Sequence, residues 1–328
     1  MPGTIIVTGA AGFVGFHLTQ ALLRRGETVI GYDNLNDYYD PALKHGRLAE
    51  LAAMPQAAQF SFIQGDLADR EAVRALINQP SVDRVVHLGA QAGVRYSIEA
   101  PFAYLDSNLS GHLAVLEGVR ASEGRIKHLV YASSSSVYGN RAEGAFSEDD
   151  AVDSPVSLYA ATKRCDELMS QTYSHLYGVK QSGLRFFTVY GPWGRPDMAY
   201  WMFTKAIFAG EPIKVFNQGN MRRDFTFIDD IVAGVIATLD NPPPEAANRI
   251  YNIGNHNPEQ LGDMIAILER EIGIEAKKIM LPMQAGDVVS TYANISKMQN
   301  DFGWAPTTSL ADGLSRFVTW YRARYINA

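Results

Sequence analysis

Thr4-Ile-Ile-Val-Thr8 runs directly into Gly9-Ala-Ala-Gly12-Phe-Val-Gly15, and the amphipathic stretch Val14–Arg25 starts before the glycine series ends. A short β-branched apolar run reads as a buried strand, and a 3.6-residue pattern straight after a glycine turn reads as a helix. In that context Gly9 suits the tight turn and Gly12 lets backbone approach a pyrophosphate. Gly15 allows close helix–strand packing, while the helix N-terminus offers N–H donors and positive potential. The next apolar run, Thr28–Tyr32, ends at Asp33. A carboxylate there can bind both adenosine ribose hydroxyls and repel a 2′-phosphate, which favours NAD over NADP. The bland alternative is an ordinary turn followed by a solvated aspartate. The expected cofactor contacts at this end are Gly9, Gly12, Phe13, Val14, Gly15, Asp33 and Asn34.

Working outward, further apolar runs fall at Phe60–Ile63, Val82–His87 and Leu129–Ala132, separated by amphipathic stretches such as Arg70–Ile77. Gly183–Phe187 reads as a sixth strand. Strands alternating with helices predict an α/β fold, a Rossmann-type doubly wound parallel sheet. After Gly191 prolines and glycines become frequent and the alternation stops. Met198–Phe208, Asp229–Leu239, Glu259–Glu271 and Leu310–Arg324 read as helices there, and Ile213–Phe216 and Asp224–Phe227 as short strands. Asn241-Pro-Pro-Pro244 is a clear stop, and Arg249–Ile253 reads as a strand able to rejoin the main sheet. The expected division is 1–190 plus about 231–255 as an NAD-binding domain. About 191–230 plus 256–328 would form a smaller C-terminal α/β substrate-binding domain.

At 328 residues, 47% hydrophobic and 20% charged, the chain can bury a sizeable core. Its net charge of −6 and lack of any Lys/Arg run give no nucleic-acid signal. One cysteine, Cys165, excludes an intramolecular disulfide and fits a reducing compartment. Cys165, Leu168, Met169, Thr172 and Leu176 share one helical stripe, expected to be buried. There is neither a basic leader nor an apolar run of about 18 residues, so a cytoplasmic protein with no membrane partner is expected. The seven histidines lack metal-ligand spacing, no Gly-x-Ser-x-Gly elbow occurs, and no metal is expected.

The remaining motifs follow predicted strands. Gly65-Asp66-Leu67 places a carboxylate where it can meet the adenine amino group, or serve as a simple turn aspartate. Leu88-Gly-Ala-Gln91 has small residues that let backbone lie against a cofactor, so Leu88, Ala90 and Gln91 join Asp66, Leu67 and Asn108 as expected contacts. Ser133-Ser-Ser-Ser136 is either a polar loop or, at the end of a central strand, part of a site. Tyr159-Ala-Ala-Thr-Lys163 holds the only tyrosine with lysine four places on. That spacing puts both on one helix face, where an ammonium favours the phenolate and brings it toward use as a base.

Together these residues resemble the extended short-chain dehydrogenase/reductase (NAD-dependent epimerase/dehydratase) family. His87-Leu-Gly-Ala-Gln-Ala-Gly-Val-Arg-Tyr-Ser97, Leu158-Tyr-Ala-Ala-Thr-Lys163, Arg185-Phe-Phe-Thr-Val-Tyr-Gly-Pro-Trp-Gly-Arg-Pro-Asp-Met198 and Arg223-Asp-Phe-Thr-Phe-Ile-Asp-Asp230 look like its UDP-glucuronate 4-epimerases. The resemblance implies tightly held NAD, a UDP-sugar substrate and reversible conversion of UDP-glucuronate to UDP-galacturonate. It makes Tyr159 the base, Lys163 its tuner and nicotinamide-ribose anchor, and Ser134 the proton-sharing hydroxyl. It places Ser135, Ser136, Thr188 and Arg195 on the sugar, chiefly its carboxylate, and Arg223 on the diphosphate. Lys214, Phe216 and Asp287 line the uridine end, Phe186 lies beside the nicotinamide, and Arg95 meets a phosphate or carboxylate. It also implies a homodimer built through helices that include the Tyr159 helix. The chain departs from the pattern at Gly89, where alanine is usual, at Asn294, where aspartate is usual, and at Val289-Ser290, which replaces Pro-Ala. The rival readings are a decarboxylating relative that releases carbon dioxide by design, a non-catalytic NAD-binding regulatory module, and an epimerase of neutral UDP-glucose.

Overall fold

The structure is a computed structural model that describes residues 3–140, 144–283 and 290–327. The chain divides into two compact units: Met1–Gly139 with Asp150–Phe186 and Val232–Tyr251, and Asn140–Asp149 with Phe187–Ile231 and Asn252–Ala328.

The first unit is built on a seven-stranded sheet. Its strands are β1 (Thr4–Thr8), β2 (Thr28–Asp33), β3 (Phe60–Gln64), β4 (Val82–His87), β5 (His128–Ser134), β6 (Gln181–Phe186) and β10 (Asn248–Ile253), in the order β10-β6-β5-β4-β1-β2-β3. The pairs from β3 through β6 are parallel. β10 keeps one offset against β6: Gln181 N–H meets the Ala247 carbonyl and Phe187 N–H meets the Ile253 carbonyl, so this edge is parallel too. β1 and β2 are buried along almost their whole length because helices cover both faces, which explains their continuous apolar runs. The order reverses beside β1, where the chain leaves β3 and re-enters at β4, and such a switch point is where α/β sheets place ligands.

Helix Leu158–Tyr177 is delimited by its sequence. Ser157 accepts the Ala160 N–H through its side chain, and Gly178 closes the helix at φ 70°. Its expected buried stripe is a correction. Cys165, Leu168, Thr172 and Leu176 are exposed, and only Met169 of that set packs against the core. The buried face instead carries Thr162, Lys163, Asp166, Glu167, Ser170 and Ser174. Periodicity found the apolar stripe but not its direction, because hydrogen-bonding partners make a polar face burial-competent.

In the second unit β7 (Thr188–Tyr190), β9 (Arg222–Phe227), β11 (Pro258–Gln260) and β13 (Ser290–Thr291) form one small sheet, and β8 (Ile213–Phe216) pairs with β12 (Lys278–Leu281). Helices Ala199–Ala209, Leu261–Ile272 and Leu310–Tyr321 accompany them. The predicted helix at Glu259 begins two residues later because Pro258–Gln260 pairs antiparallel with β9. Tyr200 and Trp201 meet Phe317 at 4.7 and 5.7 Å between ring centroids, a core of edge-on and tilted aromatics. Among the described residues no helix is long and apolar enough to cross a membrane.

Candidate active site

The glycine turn has the shape its sequence requires. Gly9 sits at φ 70°, and a Cβ on it would lie 2.8 Å from the Gly89 nitrogen. A Cβ on Gly15 would lie 2.0 Å from the Gly9 carbonyl oxygen, so the helix packs against the turn only because both residues lack side chains. Helix Phe13–Arg24 opens at Gly12 with no side-chain cap and no acidic residue in its first turn. Its first N–H donors are therefore available to a diphosphate, and the cradle fits a dinucleotide. Phe13 is buried and Val14 half-buried.

Asp33 ends β2 in a buried position, its carboxylate accepting the Ala11 N–H at 3.2 Å and the Leu35 N–H at 2.9 Å. Asn34 donates to Asp66 at 3.0 Å. Asp66 is exposed, its other oxygen accepting the Ala68 N–H at 2.9 Å, and Leu67 beside it is buried. Leu88 and Ala90 are half-buried after β4, and Gly89 N–H donates to Thr8 Oγ1 at 3.0 Å. The glycine at 89 is explained by this loop: a Cβ would come within 2.8 Å of Leu67 Cδ1. Asn108 is fully buried. It accepts the Gln91 N–H at 2.8 Å and donates to the Gln91 carbonyl at 3.2 Å and to Thr162 Oγ1 at 3.0 Å. Its polar groups are thus spent on fixing the Gln91 backbone and the Thr162 hydroxyl.

Ser134 ends β5, accepting the Ser136 N–H at 3.2 Å and donating to Ser136 Oγ at 3.1 Å, while Ser135 and Ser136 are half-buried. Tyr159 stands half-buried in the first turn of its helix, its ring edge-on to Tyr104 at 6.1 Å. Lys163, one turn on, is buried with Nζ 3.0 Å from Asp166 Oδ2. Burial pushes the Asp166 carboxyl up to about 6 against the pull of Lys163, and its Oδ1 has no hydrogen-bond partner among the described residues. Glu167 accepts Ser133 Oγ at 2.6 Å and both Nε and Nη2 of Arg185, at 2.8 and 2.9 Å. Asp166, Glu167 and Arg185 were missed as supports of the site. The signal lay in the spacing Lys163-Arg-Cys-Asp-Glu167, which sets both carboxylates on the lysine's face. Phe186 ends β6, half-buried, and Arg95 is exposed just before the turn Tyr96–Glu99. All the first-unit candidates except Arg95, Asn108 and the Tyr159–Lys163 pair follow or end a parallel strand at its carboxyl end.

In the second unit Thr188 opens β7, and Arg195 forms a two-pronged pair with Asp197 at 3.0 and 2.5 Å. Lys214 is exposed and Phe216 half-buried on β8. Arg223 on β9 donates to the Arg222 carbonyl at 2.8 Å. Beside it the buried Asp224 accepts N–H groups of Asn255, Ala293 and His256 at 2.5, 2.9 and 3.1 Å. Asp287 lies outside the described residues.

A doubly wound sheet carrying a glycine cradle, a buried aspartate at the end of β2 and a Tyr–Lys helix defines a dinucleotide-dependent class of enzymes. Residues 5–254 match the NAD dependent epimerase/dehydratase family, and the chain belongs to that family. Over 98% of its length it is 48% identical to UDP-glucuronate 4-epimerase 4 of Arabidopsis thaliana, covering 76% of that protein. It is 44% identical to protein CapI of Staphylococcus aureus, over 98% and 99% of the two chains. A crystal structure of UDP-glucuronic acid 4-epimerase from Bacillus cereus, in complex with UDP-glucuronic acid and NAD, superposes with a TM-score of 0.90 at 34% identity. That match covers 98% of this chain and 100% of the other.

Proposed function

We propose that this chain is an NAD-dependent UDP-glucuronate 4-epimerase that interconverts UDP-glucuronate and UDP-galacturonate through a 4-keto sugar. The observation that carries the reading is the end-to-end likeness to the Bacillus cereus enzyme, which was crystallised with both UDP-glucuronic acid and NAD. The first unit is the NAD-binding part and the second the UDP-sugar-binding part. Gly9, Gly12, Phe13, Val14 and Gly15 hold the diphosphate, Asp33 and Asn34 the adenosine ribose, and Asp66 and Leu67 the adenine. Leu88, Ala90 and Gln91 line the cofactor, with Asn108 acting through the Gln91 backbone. Lys163 anchors the nicotinamide ribose beside Phe186. Bound NAD supplies oxidation and re-reduction at C4.

Tyr159, as the general base, takes the proton of the sugar 4-hydroxyl, shares it with Ser134, and returns it once the sugar has turned over. A 4-ketone two carbons from the C6 carboxylate is a β-keto acid, which loses carbon dioxide when the C5–C6 bond aligns with the carbonyl π system. Ser135, Ser136, Thr188 and Arg195 hold that carboxylate out of alignment by charge-assisted hydrogen bonds. Asp197 fixes the plane of the Arg195 guanidinium. Arg223 holds the substrate diphosphate, Lys214, Phe216 and Asp287 the uridine end, and Arg95 a phosphate or carboxylate.

The chain works in the cytoplasm, where the exposed Cys165 thiol stays reduced. It is a homodimer. The support for this is the outward face of helix Leu158–Tyr177, where Leu168, Leu176 and Tyr177 are 50%, 59% and 46% exposed, with Phe102 and Leu113 also exposed on the same unit. The experiment is incubation with UDP-glucuronate without added NAD and assignment of the product's C4 stereochemistry by NMR. UDP-galacturonate is expected. A UDP-pentose would make the enzyme decarboxylating, and no turnover by NAD-loaded protein would leave a binding module.

A further inference from the structure

The Asp33 carboxylate is not alone at its end of β2. Helix Pro41–Ala52 delivers two cations to the same place, and both are buried. Lys44 has a side chain only 6% exposed, with Nζ 2.7 Å from Asn36 Oδ1 and 3.9 Å from Asp33 Oδ1. Arg47, one turn on and fully buried, donates through Nη1 to the Ala11 carbonyl at 2.8 Å and to the Tyr39 hydroxyl at 2.7 Å. Ala11 is thus held at both ends, its N–H by Asp33 and its C=O by Arg47. Both cations also lie over the Tyr39 ring, at 5.3 and 5.6 Å from its centroid. Asp37 adds a further negative charge that acts on Lys44.

We propose that Lys44 is a specificity-determining residue for the dinucleotide, a ready-made cation for a 2′-phosphate that Asp33 keeps neutralised. This rests on the NAD-binding role given to the first unit. A carboxylate at the end of β2 rejects NADP in two ways: it repels the phosphate, and it occupies the ammonium that would otherwise attract it. Removing the carboxylate removes the repulsion and leaves a buried ammonium still held at that place by Asn36 and the Tyr39 ring. Discrimination against NADP therefore belongs to the pair, and one substitution is enough to relax it.

The test strips the resident dinucleotide and titrates NAD and NADP separately by calorimetry. The chains compared are the unaltered protein, Asp33→Ser, Asp33→Asn, Lys44→Met and the double variant Asp33→Ser/Lys44→Met. The unaltered chain is expected to bind NAD at least about 100-fold more tightly than NADP, and either Asp33 variant to close that gap to about tenfold or less. The double variant loses at least about tenfold of the NADP affinity gained. Lys44→Met with Asp33 intact leaves the carboxylate charge unbalanced and so weakens NADP more than NAD, which keeps the test alive if the Asp33 variants do not fold. The proposal is overturned if the double variant binds NADP as tightly as Asp33→Ser. It is equally overturned if the Asp33 variants keep NAD and gain no NADP, or if Lys44→Met weakens both dinucleotides alike. An unaltered chain that bound neither would overturn the NAD reading itself, and this inference with it.

Discussion

At the scale of single residues, the proposed mechanism divides the work between Tyr159 and Arg195: one would move a proton, the other would keep the intermediate intact. Tyr159→Phe keeps the ring and its contact with Tyr104 but removes the acid–base group, so kcat is expected to fall by about 10²- to 10⁴-fold. NMR of the uronate mixture measures this, and unaltered interconversion would remove Tyr159 from the mechanism. Arg195→Ala is expected to lose epimerisation and to release UDP-4-keto-pentose, detectable as carbon dioxide and a new anomeric signal. Weaker binding with no decarboxylated product would end the clamp idea. Arg195→Lys should restore little, because a lysine ammonium cannot keep the two-pronged pairing with Asp197 that fixes the plane of the guanidinium.

At the scale of elements, helix Leu158–Tyr177 is fastened to the sheet by one buried charge cluster. Glu167 on the helix holds Ser133 of β5 and Arg185 of β6, and Asn248 of β10 donates to the Glu167 carbonyl at 3.2 Å. Ser133 immediately precedes Ser134, so the cluster ties the serine run to the helix that carries Tyr159 and Lys163. Glu167→Gln leaves Arg185 buried without its counter-charge and is expected to destabilise the fold by about 3–5 kcal/mol in urea titrations. Replacing both, as Glu167→Leu/Arg185→Met, should cost less than the single change, since the charge left without Glu167 is that of Arg164, which reaches solvent, and not a buried one. A double variant less stable than Glu167→Gln would refute that account. The outward face of the same helix makes a separate prediction. Leu168→Glu/Leu176→Glu places charge on an apolar surface and should give monomers by light scattering, with the fold intact by circular dichroism.

At the scale of the whole molecule, the first unit holds three histidines neutral in its interior. Burial lowers His87 to about 3 and His128 to about 4, and holds His112 well below the usual imidazole range. In the unfolded chain each titrates near about 6.5. Their folded values are depressed, so their contribution is complete above about pH 6.5 and is lost as pH falls from there toward the folded values, about 4 for His128 and about 3 for His87. Each adds a slope of about 1.4 kcal/mol per pH unit in that window. Asp166, raised to about 6, acts in the opposite sense over most of it, from about pH 6 downward. His128 accepts from Ser182 Oγ at 3.0 Å and meets the Leu239 carbonyl at 3.1 Å, contacts a glutamine amide can imitate. His128→Gln should therefore flatten the acid limb of the stability curve by about one proton, read from denaturant midpoints between pH 7.5 and 5. An unchanged slope would mean that His128 is not neutral in the fold.

The alternation of apolar runs and amphipathic stretches was enough to define a doubly wound parallel sheet, because burial on both faces writes continuous β-branched runs that nothing else requires. The glycine turn and the Tyr159–Lys163 pair were legible for the same kind of reason: local geometry alone demands small residues at Gly9 and Gly15 and one-turn spacing on a helix. The short strands Pro258–Gln260 and Lys278–Leu281 were not legible, since each exists only by pairing with a distant strand. Nor was the facing of helix Leu158–Tyr177, whose apolar stripe points outward. Polarity in a sequence does not say whether a side chain will meet water or a partner. Only the fold brought Glu167 to Arg185, Asp166 to Lys163 and Lys44 to Asp33, and only those partners make buried charge tolerable.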